Sequence, residues 1–216
     1  MNPLANLTEL ELQRGVRILA RRDPDLARIF RDYGHPPLWS RAAGFPTLVH
    51  IILEQQVSLA SAQAAFNRLK AASGGRVTPS RLLALTDEQM LRIGFSRQKA
   101  GYARGLARAI AQRQFKPAAL PAMSDEAVRE ALVAHKGIGP WSADIYLLMV
   151  LLRPDVWPQG DLALATAVQS AKGLSERPTY AELAEMANAW KPWRAVAARL
   201  FWHYYLSQRN RGASAP

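Results

Sequence analysis

Three threonines, each followed three residues later by Glu or Gln, punctuate the chain and commit it to helices: Thr8-x-x-Glu11, Thr86-x-x-Gln89 and Thr179-x-x-Glu182. In such a capping box the hydroxyl and the acid or amide each satisfy an amide donor that a helix N-terminus leaves open. Pro79, directly after Thr78, adds a proline at a first helical position, where its missing N–H costs nothing. Apolar residues recur at helical spacing with almost no period-two alternation, so the fold class is all-α. The pattern predicts helices over 8–21, 24–32, 46–56, 58–72, 79–84, 86–92, 96–113, 124–134, 139–152, 161–172, 179–189 and 192–208. Three Gly/Pro-rich stretches, 34–46, 114–124 and 153–161, read as junctions. A weak internal echo pairs 91–100 with 132–143, each a helix, a glycine turn and a helix.

Charge narrows the partners. The chain of 216 residues carries 28 Lys+Arg against 17 Asp+Glu, a formal +11. A globular chain this basic suits a polyanion, with nucleic acid first among them; a solvated basic surface is the alternative. There is no cysteine, which removes disulfides, thiol catalysis and any Cys-ligated zinc or iron–sulfur site. The N-terminal residues lack the apolar stretch of a secretion signal, and the longest uncharged apolar run, 145–152, is far too short for a bilayer. A soluble, cytoplasmic protein without membrane association is expected.

The most informative local stretch is His135-Lys136-Gly137-Ile138-Gly139-Pro140-Trp141. Ser124 can cap the helix before it, and Ala127, Val128, Ala131 and Leu132 form that helix's apolar stripe. Gly137 and Gly139 are expected to reverse the chain with positive φ, Pro140 to open the next helix, and Ile138 to plug the turn from inside. Amide groups at the new helix N-terminus could then approach a phosphate closely. An ordinary helix–helix turn would look the same from G-x-G alone. Arg97, Arg104 and Arg108 share one face of the 96–113 helix, which is either solvated or turned to phosphate.

The run from Leu132 to Leu151 with the later Asp155–Gln169 segment resembles the helix–hairpin–helix and Gly/Pro-Asp signature of base-excision DNA glycosylases. Residues 48–69 resemble the helix–turn segment that carries that superfamily's DNA wedge, and 190–206 resemble the C-terminal helix of the 3-methyladenine DNA glycosylase II branch. The resemblance covers most of 45–206 in three separated motifs. It implies a two-subdomain helical protein: a bundle over 45–145 ending in the hairpin, and a lobe carrying Asp161 over 146–216. The first 44 residues would pack with that lobe, Asp161 would lie in a cleft, and the N-terminal β domain of larger relatives would be missing. Lyase members place a lysine two residues after the second hairpin glycine; here Trp141 stands there, so no amine attacks the sugar.

The resemblance also assigns roles. Asp161 is the carboxylate that stabilises positive charge developing on the sugar, although Asp before an apolar run is equally a helix N-cap. The two roles are compatible at a helix N-terminus. Trp141 and Trp202 are base-pocket positions, where an indole suits a cationic flipped base; either could instead be a core aromatic. Ile145 stands where some relatives have a pocket tyrosine, and Tyr146, Trp157 and Trp193 could compensate or simply pack. Gln56 is the wedge position, with a polar helix end as its plain alternative. Gly137, Gly139, Lys136 and Arg97 fall to the DNA backbone. Carbonyls of Val133, His135 and Ile138 would ligate a Na or K ion; no other cofactor is implied. Glu54 and Asp144 are expected to be exposed or structural. The implied activity is monofunctional excision of alkylated, cationic purines from double-stranded DNA by a monomer. A neutral-lesion glycosylase for hypoxanthine or uracil, and a non-catalytic hairpin module, remain open.

Overall fold

The computed structural model describes residues 6–213, with side chains to Arg209, and among these residues it is helical with no strand. Twelve α-helices are joined by short turns and two 3-10 segments, Pro117–Ala122 and Ala187–Trp190. The chain divides into two compact units, one built from residues 1–40 with 147–216 and the other from 41–146. The divisions therefore fall at 40/41 and 146/147, a few residues from the 44/45 and 145/146 read from the sequence.

In the first unit, α1 (Glu9–Arg22) and α2 (Pro24–Tyr33) pack on each other and on α12 (Arg194–Ala213), which also carries α10 (Leu162–Lys172). Leu12, Val16 and Leu19 of α1 and Leu26 and Ile29 of α2 are buried at the helical spacing that predicts one face. Gly15 lets α1 approach α12 closely, since a Cβ there would lie 2.8 Å from the Trp193 ring. Asp23 locks the start of α2. Its Oδ1 accepts the Asp25 and Leu26 amides, and its Oδ2 accepts from Lys172 at 3.0 Å and from the Trp190 indole at 2.9 Å. Burial would raise its pKa, but the indole and the lysine outweigh it and hold the carboxyl below its ordinary value.

In the second unit, α7 (Arg97–Ala111) packs against α3 (Phe45–Glu54), α5 (Pro79–Leu83) and α6 (Asp87–Ile93), while α4 (Leu59–Ala72) packs on α3 and α6. Thr86 and Thr179 form reciprocal capping boxes as expected. Thr8 caps α1 by accepting the Glu11 amide, while the Glu11 carboxylate lies 3.7 Å from Arg14.

Four helix ends depart from the expected pattern, the last being α12, which runs to Ala213 instead of 208. α3 stops at Glu54 instead of running to 56, because Gln55 is extended and Gln56 is left-handed at φ 56°. α9 (Pro140–Met149) ends before 152, where Leu152 turns left-handed at φ 54° and the Arg153 amide reaches back to the Leu147 carbonyl at 3.0 Å. The end is thus closed with leucine in the left-handed place glycine usually takes, and Pro154 forbids continuation. The 179–189 helix is α11 (Tyr180–Met186) tightening into the second 3-10 segment.

Candidate active site

Local sequence builds the hairpin. Ser124 caps α8 (Asp125–Val133) by accepting the Ala127 amide, and the turn after it closes with the Ile138 amide on the His135 carbonyl at 3.0 Å. Ile138 is buried beneath the turn, as expected for a plug. Gly137 has φ 93°, and a Cβ added there would fall 2.1 Å from Tyr102, so conformation and packing both demand glycine. Gly139 departs from expectation: its φ is outside the left-handed region, and the place of its missing side chain is open space. The backbone at the start of α9 is left open on that side. Lys136 is exposed at the turn and Arg97 is exposed at the start of α7; together with His135, Tyr102, Gly101 and Gly105 they line a groove of about 500 Å³. Arg104, expected on the same face, turns away to the Asp87 carboxylate and the Leu85 carbonyl. His135 packs its ring 4.4 Å from that of Phe115, and burial lowers its pKa.

The wedge candidate stands on a tight turn of the same unit. Gln56 is exposed on a left-handed backbone, followed by Val57 and Leu59, which are also exposed. Lys99 donates from Nζ to the carbonyls of Leu53 at 2.8 Å and Gln55 at 2.7 Å. Burial lowers its pKa, and a cation at the carbonyl end of α3 meets the negative end of the helix dipole. The Gln55 side chain donates to the Gly137 carbonyl at 2.7 Å and to Ser142 Oγ at 3.0 Å. Glu54 and Asp144 are both buried and paired, with Arg41 (2.7 and 2.8 Å) and Arg129 (2.7 Å) respectively, which makes them structural rather than exposed.

In the first unit, the tight turn at Gly160, φ 78°, delivers Asp161 to the N-cap of α10. Asp161 is only 8% exposed; its Oδ1 accepts the Leu164 amide at 2.8 Å and the Trp202 indole at 3.3 Å. An amide, an indole N–H and a helix N-terminus all present positive potential to one carboxylate. Trp202 meets Trp39 edge to face, centroids 6.5 Å apart at 70°. Trp39 was missed in the sequence because it sits in what reads as a junction, yet its φ of 49° is unusual for so bulky a residue. The carbonyl before it, Leu38, accepts from Arg199, which is fully buried and also donates to the Ala195 and Leu148 carbonyls. Burial pulls the Arg199 pKa down to about 9, with Glu9 opposing, which leaves it charged at neutral pH.

Among the other aromatic candidates, Trp141 is half-buried on α9, while Ile145 is 2% exposed and Tyr146, Trp157 and Trp193 are buried. Trp157 packs against Trp190 at 5.1 Å and Trp193 against α1, so these two belong to the core. Among the described residues no cluster of His, Cys, Asp or Glu could hold a metal, and no helix is long and apolar enough to cross a membrane. The carbonyls of Val133 and His135, at the end of α8, and of Ile138, in the turn before α9, are oxygen donors of a different kind.

Two helices joined through an obligatory glycine define a helix–hairpin–helix protein, here with a helix-capping aspartate downstream. The chain belongs to the HhH-GPD superfamily of base excision DNA repair proteins, whose family pattern matches residues 49–194. It is 30% identical over 162 residues to DNA-3-methyladenine glycosylase 1 of Schizosaccharomyces pombe, covering 73% of this chain and 71% of that protein. It is 26% identical over 177 residues to a DNA-3-methyladenine glycosylase of Bacillus subtilis, covering 75% of this chain. The matches span 58% of that protein and 64% of a second Bacillus subtilis relative, YfjP. The structure is similar to that of the Schizosaccharomyces pombe 3-methyladenine DNA glycosylase Mag1 in complex with abasic DNA. The TM-score is 0.84 at 26% identity, over 91% of this chain and 97% of that one. A DNA-3-methyladenine glycosidase from Bacillus halodurans gives a TM-score of 0.76 at 26% identity, over 97% and 95% of the chains.

Proposed function

We propose that the chain is a monofunctional DNA glycosylase, acting as a monomer on double-stranded DNA in the cytoplasm, that excises alkylated cationic purines such as 3-methyladenine and 7-methylguanine. The observation that carries this reading is Asp161: a buried carboxylate, fixed by the Leu164 amide and the Trp202 indole, in a chain of the base-excision superfamily. The names of the relatives support the substrate class. Lys136, Arg97 and the amides after Gly137 and Gly139 grip the phosphate backbone, and Gln56 fills the gap left by the flipped base. Carbonyls of Val133, His135 and Ile138 would hold a monovalent cation, Na or K, whose charge would stiffen the hairpin.

The N-glycosidic bond then breaks with its electron pair going to the base, which neutralises the base's positive charge. Asp161 stabilises the cationic sugar until water adds at C1′ and loses a proton. A cationic purine leaves without protonation, so no general acid is required. Trp202, whose indole N–H bonds Asp161, offers its face to the cationic base. With Trp141 where a lyase has lysine, the product is an abasic site and the strand stays whole.

The test is release of free base from methylated duplex DNA by wild type and by Asp161→Asn. The variant should lose about 100-fold or more in rate. Full activity in the variant would remove Asp161 from the chemistry. No release by wild type, with salt-sensitive binding retained, would direct the assay to hypoxanthine and uracil.

A further inference from the structure

The geometry points to Gln55 and Lys99 as a strut that couples the hairpin to the wedge turn, making both positioning residues for base flipping; this rests on the reading of Gln56 as the wedge. All the groups involved lie within one compact unit. Gln56 is held left-handed, a conformation a glutamine does not choose unaided. What fixes it is its immediate neighbour. The Gln55 carbonyl is bonded by Lys99 at 2.7 Å, and the Gln55 side chain is bonded to the Gly137 carbonyl at 2.7 Å and Ser142 at 3.0 Å. One residue is therefore tied through its main chain to α7 and through its side chain to the hairpin.

The consequence is mechanical. Gly137 cannot shift without Gln55, because Tyr102 already fills the space beside it and the Gln55 amide bridges it to α9. Gln55 cannot shift without breaking the Lys99 bonds, whose ammonium also holds Leu53 at 2.8 Å. When hairpin amides seat a phosphate, the position of Gln56 relative to the duplex is thereby set before any base leaves the stack. Energy gained at the backbone can then be spent on extrusion instead of on ordering the wedge. The strut acts on flipping alone; Asp161 and the C–N bond are outside it.

A merely structural role would slow every substrate alike, and this difference provides the test. Gln55→Glu keeps the shape but sets an acceptor against the Gly137 carbonyl, while Lys99→Met removes both capping bonds. Excision would be followed under single turnover on two duplexes: a methylated purine fully paired, and the same lesion unpaired in a bulge. Each variant should lose about tenfold or more on the paired lesion and keep wild-type rates within about twofold on the bulged one, since misplacement penalises only the step that needs placement. Lys99→Arg, which retains two donors, should recover most of the paired-lesion rate. Equal losses on both duplexes, or no loss on the paired one, would overturn the strut. An inactive wild type would instead overturn the glycosylase reading, so the two failures are distinct.

Discussion

Asp161 performs two tasks with one carboxylate, and the choice of substitution separates them. Asparagine caps a helix about as well as aspartate, so Asp161→Asn should leave the urea midpoint nearly unchanged while excision collapses; alanine should additionally cost about 1 kcal/mol of stability. Gln56 offers the reverse experiment. Glycine relieves a left-handed backbone that costs a side-chain-bearing residue about 1–2 kcal/mol, so Gln56→Gly should raise stability in chemical denaturation while flipping is lost. A stabilised variant that still flips would exclude the side chain as wedge. At this scale the sequence was legible where a residue's task is local: Asp161 at its cap, Ile138 under its turn, Gly137 at positive φ. It was illegible where the task is made by a distant partner. Lys99 reaches 44 and 46 residues back in the chain and Gln55 reaches 82 forward, separations that no periodicity encodes.

Helix beginnings were legible throughout and a few helix endings were not, for a physical reason. A start is written in side chains that bond their own backbone three residues on, as at Thr86 and Thr179. An end is often decided by tertiary demand: α9 stops at Met149 inside the apolar run Ile145–Leu152, and the Leu152 carbonyl is taken by the Leu7 amide at 2.7 Å. Removing a start therefore has a calculable effect. Thr86→Ala breaks a complete capping box and should cost about 1 kcal/mol, read as a lower urea midpoint with an unchanged m-value. The proline-bearing 3-10 segment Pro117–Ala122 was hidden inside an expected junction, because prolines signal a break whether or not a short helix occupies it.

For the molecule as a whole, charge and acid sensitivity give two bulk tests. With 28 basic against 17 acidic residues, DNA binding should weaken linearly in log affinity against log salt between about 50 and 200 mM, by a slope that counts the phosphates contacted. A flat response would dissociate the basic surface from DNA. Asp23, its carboxyl held below the ordinary range by Trp190 and Lys172 against the cost of burial, binds protons less readily folded than unfolded. Its stabilising share is thus complete above the unfolded carboxyl's pKa, near 4, and is lost as pH falls through the folded value. Stability measured from pH 5 downward should fall less steeply in Asp23→Asn than in wild type. The division of the chain has a further consequence, for synthesis. Residues 1–40 leave the ribosome before 41–146, yet α10 and α12, which cover the apolar faces of α1 and α2, emerge only after it. At about 5–20 residues per second, Leu12, Val16, Leu19, Leu26 and Ile29 wait several seconds or longer for their partners while the continuous unit 41–146 is completed between them. A nascent chain stalled after Tyr146 would carry one finished unit and one orphaned helical pair, the form in which chaperones would meet it.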